Sequence, residues 1–277
     1  EEMLKLFASN RFVITKCPRQ VGKTTTTVAY MLWETIFKDT QNCAVLANKG
    51  SLARDILAKY QLAYENLPMW LQQGVVTWNK GNVELENGSK IIAASTSSSA
   101  VRGGAFNIVF LDEFAFVPAN IANEFFNSVY PVISSGKTTK IIIVSTPNGM
   151  NLFYKLWMDA IGKKNGYKTF EIHWSMVPGR DEKWKEETIK NTSEEQFRQE
   201  FECEFLGSVD TLITPSKLRM MVYDDPLNRS KGLDVYEDPL VNNTYLMTVD
   251  VSRGMSNDYS AFIVFDILLN EYVGCTR

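Results

Sequence analysis

Four short apolar runs recur along the first half of this 277-residue chain: Phe12–Thr15, Ala44–Ala47, Ile108–Leu111 and Ile141–Val144. None alternates apolar with polar, as a strand with one wet face would. Runs of this kind predict strands buried on both faces, which require helices above and below them. Amphipathic stretches lie between the runs. One carries Val28, Leu32 and Ile36 on one face; another, 51–66, carries Leu52, Ile56, Leu57 and Tyr60; a third covers roughly 119–133. Such alternation of strand and helix predicts an α/β fold with a mostly parallel sheet. Between Val75 and Ser95 the pattern changes to "VVTW", "NVEL" and "KIIAAS", split by "NKG" and "ENGS". These are short strands separated by turn signals, a meander inserted in the α/β unit.

After Ser145 helices dominate, with one strand expected at Thr169–Trp174. "DEKWKEETIKN" and "SEEQFRQEFECEF" read as two helices, the second with Ser193 as N-cap and Gln196 at the capping-box position. Residues 224–243 are rich in Asp, Asn, Pro and Gly and read as a linker. "TYLMTVD" and "SAFIVFDI" then read as two strands of a new element. The domain division expected is 1–150 for a core, 151–210 for a small lid, 211–243 for a linker region and 244–277 for the start of a further domain. The chain does not begin with Met, and both ends read as cut.

Bulk properties exclude several classes. Lysine and arginine number 29 against 32 acids, a net charge of −3, so any nucleic-acid partner must meet a local basic surface. Four scattered cysteines, Cys17, Cys43, Cys203 and Cys275, and the single histidine, His173, do not make a zinc pattern. The absence of a disulfide pattern suits a reducing cytosol. No run approaches the ~20 apolar residues that span a bilayer, and no signal peptide is expected.

The chemistry concentrates at strand ends. "KCPRQVGKTTTT", residues 16–27, follows the first strand and carries Gly22, Lys23 and Thr24. A phosphate-binding loop needs a strand, a tight turn whose amides face an anion, a helix starting at the turn, a lysine for the phosphates and a Ser or Thr for Mg²⁺. All are here, except that Cys17 stands where the general pattern has a first glycine. "NIVFLDEFAF", 107–116, runs from a buried strand into Asp112 and Glu113, in the order of a metal-shell acid and a water-polarising acid. "KIIIVSTPNG", 140–149, ends a strand in Ser145 and Thr146, hydroxyls placed to sense a γ-phosphate or simply to end the strand.

Taken in order and spacing, these motifs resemble the large terminase of tailed bacteriophages, the motor that pumps DNA into a prohead. "PRQVGKTT" resembles the family's deviant Walker A, which carries an arginine four residues before the lysine and often lacks the first glycine. "VLANKGSLARDIL", the stretch "VELENGSKIIAASTSSSAVRGGAFNIVFLDEFAF" into Walker B, the coupling motif "IIIVSTPNG" and "QFRQEFECEFLGS" at the end of the lid complete the match.

The resemblance implies a RecA-like P-loop ATPase of the ASCE class, with a lid and the first strands of an RNase H-like nuclease. Pro18, Arg19, Gln20, Val21, Gly22, Lys23, Thr24 and Thr25 would bind ATP. Thr24 and Asp112 would hold Mg²⁺, Glu113 would be the catalytic carboxylate, and Ser145 and Thr146 would couple hydrolysis to movement. Arg102 would be an arginine finger acting on a neighbouring subunit, with Arg19 the rival in cis. Asp250 matches the first metal acid of the nuclease, with Asp258 a weaker candidate. The other nuclease acids would lie past Arg277, so no nuclease activity is expected from this chain. The glutamine with which the family contacts adenine has no counterpart in 1–11. The partners implied are double-stranded DNA, a portal protein, a small terminase subunit and a homo-oligomeric ring, with a monomer the state expected in isolation. The place implied is the host cytoplasm, transiently docked on the prohead. Lysines 137, 140, 155, 163, 164 and 168 are candidates for DNA phosphates, or a solvated helical face. Two other readings share the loop: a superfamily-2 helicase or translocase, and an ATP-binding assembly module without useful turnover.

Overall fold

The computed structural model describes residues 1–97, 104–128, 130, 138–206, 226–230, 233–251, 260–268 and 271–276. They fall into two compact units, Glu1–Pro215 and Ser216–Arg277.

The first unit is built on an eight-stranded sheet. Its strands are β1 (Phe12–Lys16), β2 (Asn42–Ala47), β3 (Val75–Trp78), β4 (Asn82–Leu85), β5 (Lys90–Ser95), β6 (Ile108–Asp112), β7 (Lys140–Ser145) and β8 (Lys168–Glu171), in the order β3-β4-β5-β2-β6-β7-β1-β8. From β5 to β8 every pairing is parallel; β3 and β4 add antiparallel at one edge. The expected meander therefore forms, and its third strand is part of the parallel sheet.

Successive residues of the central strands feed opposite cores, as alternation across a pleat requires. Val13, Val45, Phe110 and Ile142 join one core with Phe7, Met31, Leu57 and Tyr60. Ile14, Leu46, Leu111 and Ile143 join the other with Phe114, Phe125, Phe153 and Trp157. The first core lies under α1 (Glu2–Ser9), α2 (Lys23–Phe37) and α3 (Gly50–Glu65); the second lies under α4 (Ala119–Ser128) and α5 (Leu152–Ile161). Burial on both faces is why these strands lack alternation in sequence. Of the helix expected over 119–133, the part to Ser128 is helical and most of the remainder lies outside the described residues.

The strand expected at Thr169–Trp174 is shorter. It ends at Glu171, and His173 starts a 3₁₀ turn over Trp174–Met176 by accepting the Ser175 amide on its ring nitrogen. Helices α6 (Glu182–Asn191) and α7 (Glu194–Glu200) follow. Asp181 accepts from the Trp184 amide, and the Ser193 hydroxyl accepts from the Gln196 amide at 3.0 Å, as the capping pattern predicted. Phe197 is fully buried between Trp174, Trp184 and Phe201.

The second unit holds a five-stranded antiparallel sheet, ordered β11-β12-β13-β10-β9. Its strands are β9 (Asn228–Ser230), β10 (Leu233–Val235), β11 (Tyr245–Asp250), β12 (Ala261–Asp266) and β13 (Glu271–Thr276). Two of them fall inside 224–243, which the sequence pattern presented as linker; strands of three residues are too short to show a period. No helix of the described residues is long and apolar enough to cross a membrane.

Candidate active site at the carboxyl edge of the sheet

Strands β6, β7 and β1 are adjacent and parallel, so the residues following them meet at one edge. That edge is where open α/β sheets bind ligands. The turn after β1 runs from Cys17 to Gly22 and delivers the chain into α2. Gly22 caps that helix with φ +77°, a conformation that costs a side-chain-bearing residue. Gln20 also lies at positive φ, +59°. The Cys17 amide is tied back to the Ser145 carbonyl at 3.1 Å, which fixes the start of the loop against β7. Burial pushes the Cys17 thiol up to about 12, so it stays protonated and packs as a small apolar group.

Lys23, in the first turn of α2, is 7% exposed, and its Nζ lies 2.6 Å from Glu113 Oε1. Nζ makes no well-aligned hydrogen bond there. The second carboxylate oxygen of Glu113 accepts from the Thr146 amide at 3.3 Å and from Thr146 Oγ1 at 3.2 Å; the Ser145 hydroxyl shares its proton between the Thr146 carbonyl at 2.7 Å and this oxygen at 3.4 Å. Glu113 itself has φ +48°, a left-handed conformation that costs a non-glycine residue about 1–3 kcal/mol and clusters at functional sites. The Ser145 hydroxyl also accepts the Ala115 amide, so β7 holds the turn that carries the acid. Lys23, Glu113, Ser145 and Thr146 are thus one contact group.

Asp112 ends β6 beside them. It is 8% exposed, and its Oδ1 is buried without a hydrogen-bond partner. Burial first, and the neighbouring Glu113 charge second, raise its carboxyl to about 6, against the pull of Lys23 and Lys59. Two further buried oxygens on the neighbouring strand ends lack partners, Asn48 Oδ1 after β2 and Thr96 Oγ1 after β5. The Thr96 amide donates to the Ala47 carbonyl at 2.7 Å, which places these two residues side by side.

Residues of the 180–200 segment close on the loop, and sequence reasoning missed them. Arg19 donates its amide to the Glu200 carbonyl at 3.1 Å and pairs its Nε with Glu200 Oε2 at 2.5 Å. Glu200 raises the Arg19 pKa, chiefly through this hydrogen bond. Arg180 Nη2 donates to the carbonyls of Arg19 and Gln20. Gln199 donates to the Pro147 carbonyl in the turn after β7. No local pattern marks these residues, which lie far along the chain from the loop they touch.

A family pattern described as "Terminase large subunit, T4likevirus-type, N-terminal" matches residues 15–220, most of the first unit. The chain belongs to the large terminase family. A terminase large subunit of Thermus phage G20c is 27% identical over 182 residues, 60% of this chain. The match spans 36% of that relative, so the chain corresponds to little more than a third of it. The large terminase ATPase domain of Thermus phage P74-26 superposes with a TM-score of 0.56 at 18% identity, covering 74% of this chain and 98% of that domain. The large terminase of a thermophilic bacteriophage, in complex with ATP-gamma-S, superposes with a TM-score of 0.55 at 12% identity, covering 94% of this chain and 60% of that one. At these identities the shared feature is the fold: the first unit has the α/β architecture of terminase ATPase domains, with the expected mostly parallel sheet.

Of the residues singled out in the sequence, the structure brings together Lys23, Asp112, Glu113, Ser145 and Thr146, with the loop 18–22 beside them. Arg102, Lys137 and Asp258 lie outside the described residues. Asp250 ends β11, pairs in register with Ala261 and is exposed. It belongs to the second unit, and among the described residues no group of three or more potential metal ligands forms.

Proposed function

We propose that this chain hydrolyses ATP and is the motor part of a terminase that drives double-stranded DNA into a prohead. The observation that carries this reading is the Glu113 carboxylate, held between Lys23 and the Ser145–Thr146 hydroxyls, next to a buried acid with an orphan oxygen. The loop 18–25 would wrap the triphosphate, with the amides from Gln20 to Thr25 at the start of α2 facing it and Lys23 exchanging Glu113 for its β/γ oxygens. The donor set fits a hydrated Mg²⁺: Thr24 and Asp112 would hold it, and Asp112 Oδ1 has no competing partner. The cation would neutralise charge that builds on the transferring phosphoryl group. Glu113 orients the attacking water and takes its proton. Arg19 in cis, or Arg102 from a neighbouring subunit, stabilises the same charge.

Ser145 and Thr146 both bond Glu113, so a change at the acid reaches β7 and the Pro147 turn that Gln199 grips. That is a route by which loss of the γ-phosphate moves the 151–210 region. Grip on DNA would be through phosphates, which makes it indifferent to sequence. A portal, a small terminase subunit and a ring of copies in the host cytoplasm complete the proposed machine. Asp250 is proposed as the first acid of a nuclease metal site.

The test is Mg²⁺-dependent ATP turnover by this chain against Lys23→Ala, with and without double-stranded DNA. Turnover that drops by orders of magnitude in the variant supports the site. Equal turnover in both proteins places hydrolysis elsewhere and ends this assignment.

A further inference from the structure

We infer that Arg180 is a positioning residue for the phosphate loop, acting from outside by holding two loop carbonyls away from the anion. The inference rests on reading 17–24 as a phosphate site, and it adds a residue far along the chain to that site.

Arg180 Nη2 donates to Arg19 O at 3.0 Å and to Gln20 O at 3.4 Å. A trans peptide is planar, so its C=O and the following N–H point in opposite directions. Drawing the Arg19 carbonyl toward Arg180 turns the Gln20 amide the other way. Drawing the Gln20 carbonyl turns the Val21 amide the other way. Two consecutive amides are thereby set on the face opposite the guanidinium, and Gln20 at φ +59° makes the change of hand that lets neighbouring N–H groups converge on an anion. A non-glycine residue in that conformation is uncommon, and the Arg180 bonds on either side of it help to hold it.

The anchor itself is held by packing. The guanidinium carbon lies 4.8 Å from the Trp184 ring and 5.5 Å from the Phe201 ring. Both rings are half-buried and pack on the buried Phe197. A flat cation stacked on aromatic faces keeps its N–H edge free for the carbonyls. The Arg180 amide is fixed as well, donating to the Val177 carbonyl at 3.1 Å across a turn in which Gly179 has φ +83°. Nη1 is buried with no hydrogen-bond partner. Lysine would keep the charge but offers a single compact ammonium rather than a planar edge.

The experiment measures the affinity of the whole chain for ADP and for inorganic pyrophosphate, with Arg180→Ala and Arg180→Lys beside the wild type. Pyrophosphate carries no base or sugar, so it reports the phosphate contacts of the loop amides and Lys23 without those of the nucleoside. Loss of charge-assisted bonds that set the amides predicts about tenfold weaker binding of both probes in Arg180→Ala. Arg180→Lys should recover only part of that loss. Millimolar guanidinium ion should restore binding to Arg180→Ala and leave the wild type unchanged. Arg180→Ala that melts like the wild type and binds both probes within twofold of it overturns the inference while leaving the ATPase reading intact. If Arg180→Ala does not fold, Arg180→Lys decides alone: unchanged affinity overturns the inference, and weaker affinity for both probes supports it. A wild type that binds neither probe overturns the functional reading and this inference with it.

Discussion

Glu113→Gln separates two roles that one carboxylate combines. Glutamine keeps the shape and a hydrogen-bond acceptor and removes the charge. The charge pairs with Lys23 at 2.6 Å, with side chains 8% and 28% exposed. Two unit charges at about 4 Å attract by about 4 kcal/mol at an effective dielectric of about 20. Desolvation of the buried lysine and the partial exposure of the acid reduce the net value to about 1–2 kcal/mol. In the wild type a polyphosphate must take Lys23 from Glu113, and in the variant it need not. ADP should therefore bind about 5–30-fold more tightly to Glu113→Gln. Turnover should move the opposite way, because loss of a general base removes about 10²–10⁴ of rate. Isothermal titration with MgADP and a steady-state phosphate-release assay on the same preparations measure the two effects. Weaker ADP binding in the variant would show that Glu113 does not hold Lys23 back. Turnover at the wild-type rate would show that it is not the base.

The remaining expectations concern the neighbours of that acid. Asp112→Asn should stabilise the metal-free chain at neutral pH and abolish Mg²⁺-dependent turnover. The native carboxyl is raised from 3.8 to about 6, so the folded state binds the proton more tightly than the unfolded state. Stability is then lost as pH rises through that window, by about 3 kcal/mol in all at about 1.4 kcal/mol for each pH unit between the two values. Melting curves should place Asp112→Asn above the wild type at about pH 7.5 and level with it at about pH 3, on either side of the window; equal curves at both would show that the acid is not strained by burial. Ser145→Ala leaves the Ala115 amide without its acceptor and Glu113 without one donor, which should cost about 1–3 kcal/mol of stability and lower turnover. An unchanged melting temperature would mean that water takes over the hydroxyl's place.

The main helices, the strands of the sheet and the two-faced core were legible because each depends on local pattern. Continuous apolar strands announce burial on both faces, and Ser193 with Gln196 announces a helix start. Acids and hydroxyls at strand ends announce a cleft, since a parallel sheet brings its carboxyl ends to one edge whatever the loops contain. That Lys23, Asp112, Glu113, Ser145 and Thr146 would be neighbours at one sheet edge was therefore readable from the chain of residues alone.

Three things were decided only in three dimensions. Strand order put β6, β7 and β1 side by side, so that Thr146 reaches Glu113 rather than solvent. Burial turned Asp112 from an ordinary strand-end acid into one with an orphan oxygen and a raised pKa. Arg180 and Glu200 came to the loop from distances of 161 and 181 residues. A sequence records such contacts only as an unremarked arginine and one glutamate among many. Periodicity describes how a segment meets its own surroundings, whereas a contact across the fold depends on how separately specified segments pack, and that is a property of the folded chain alone.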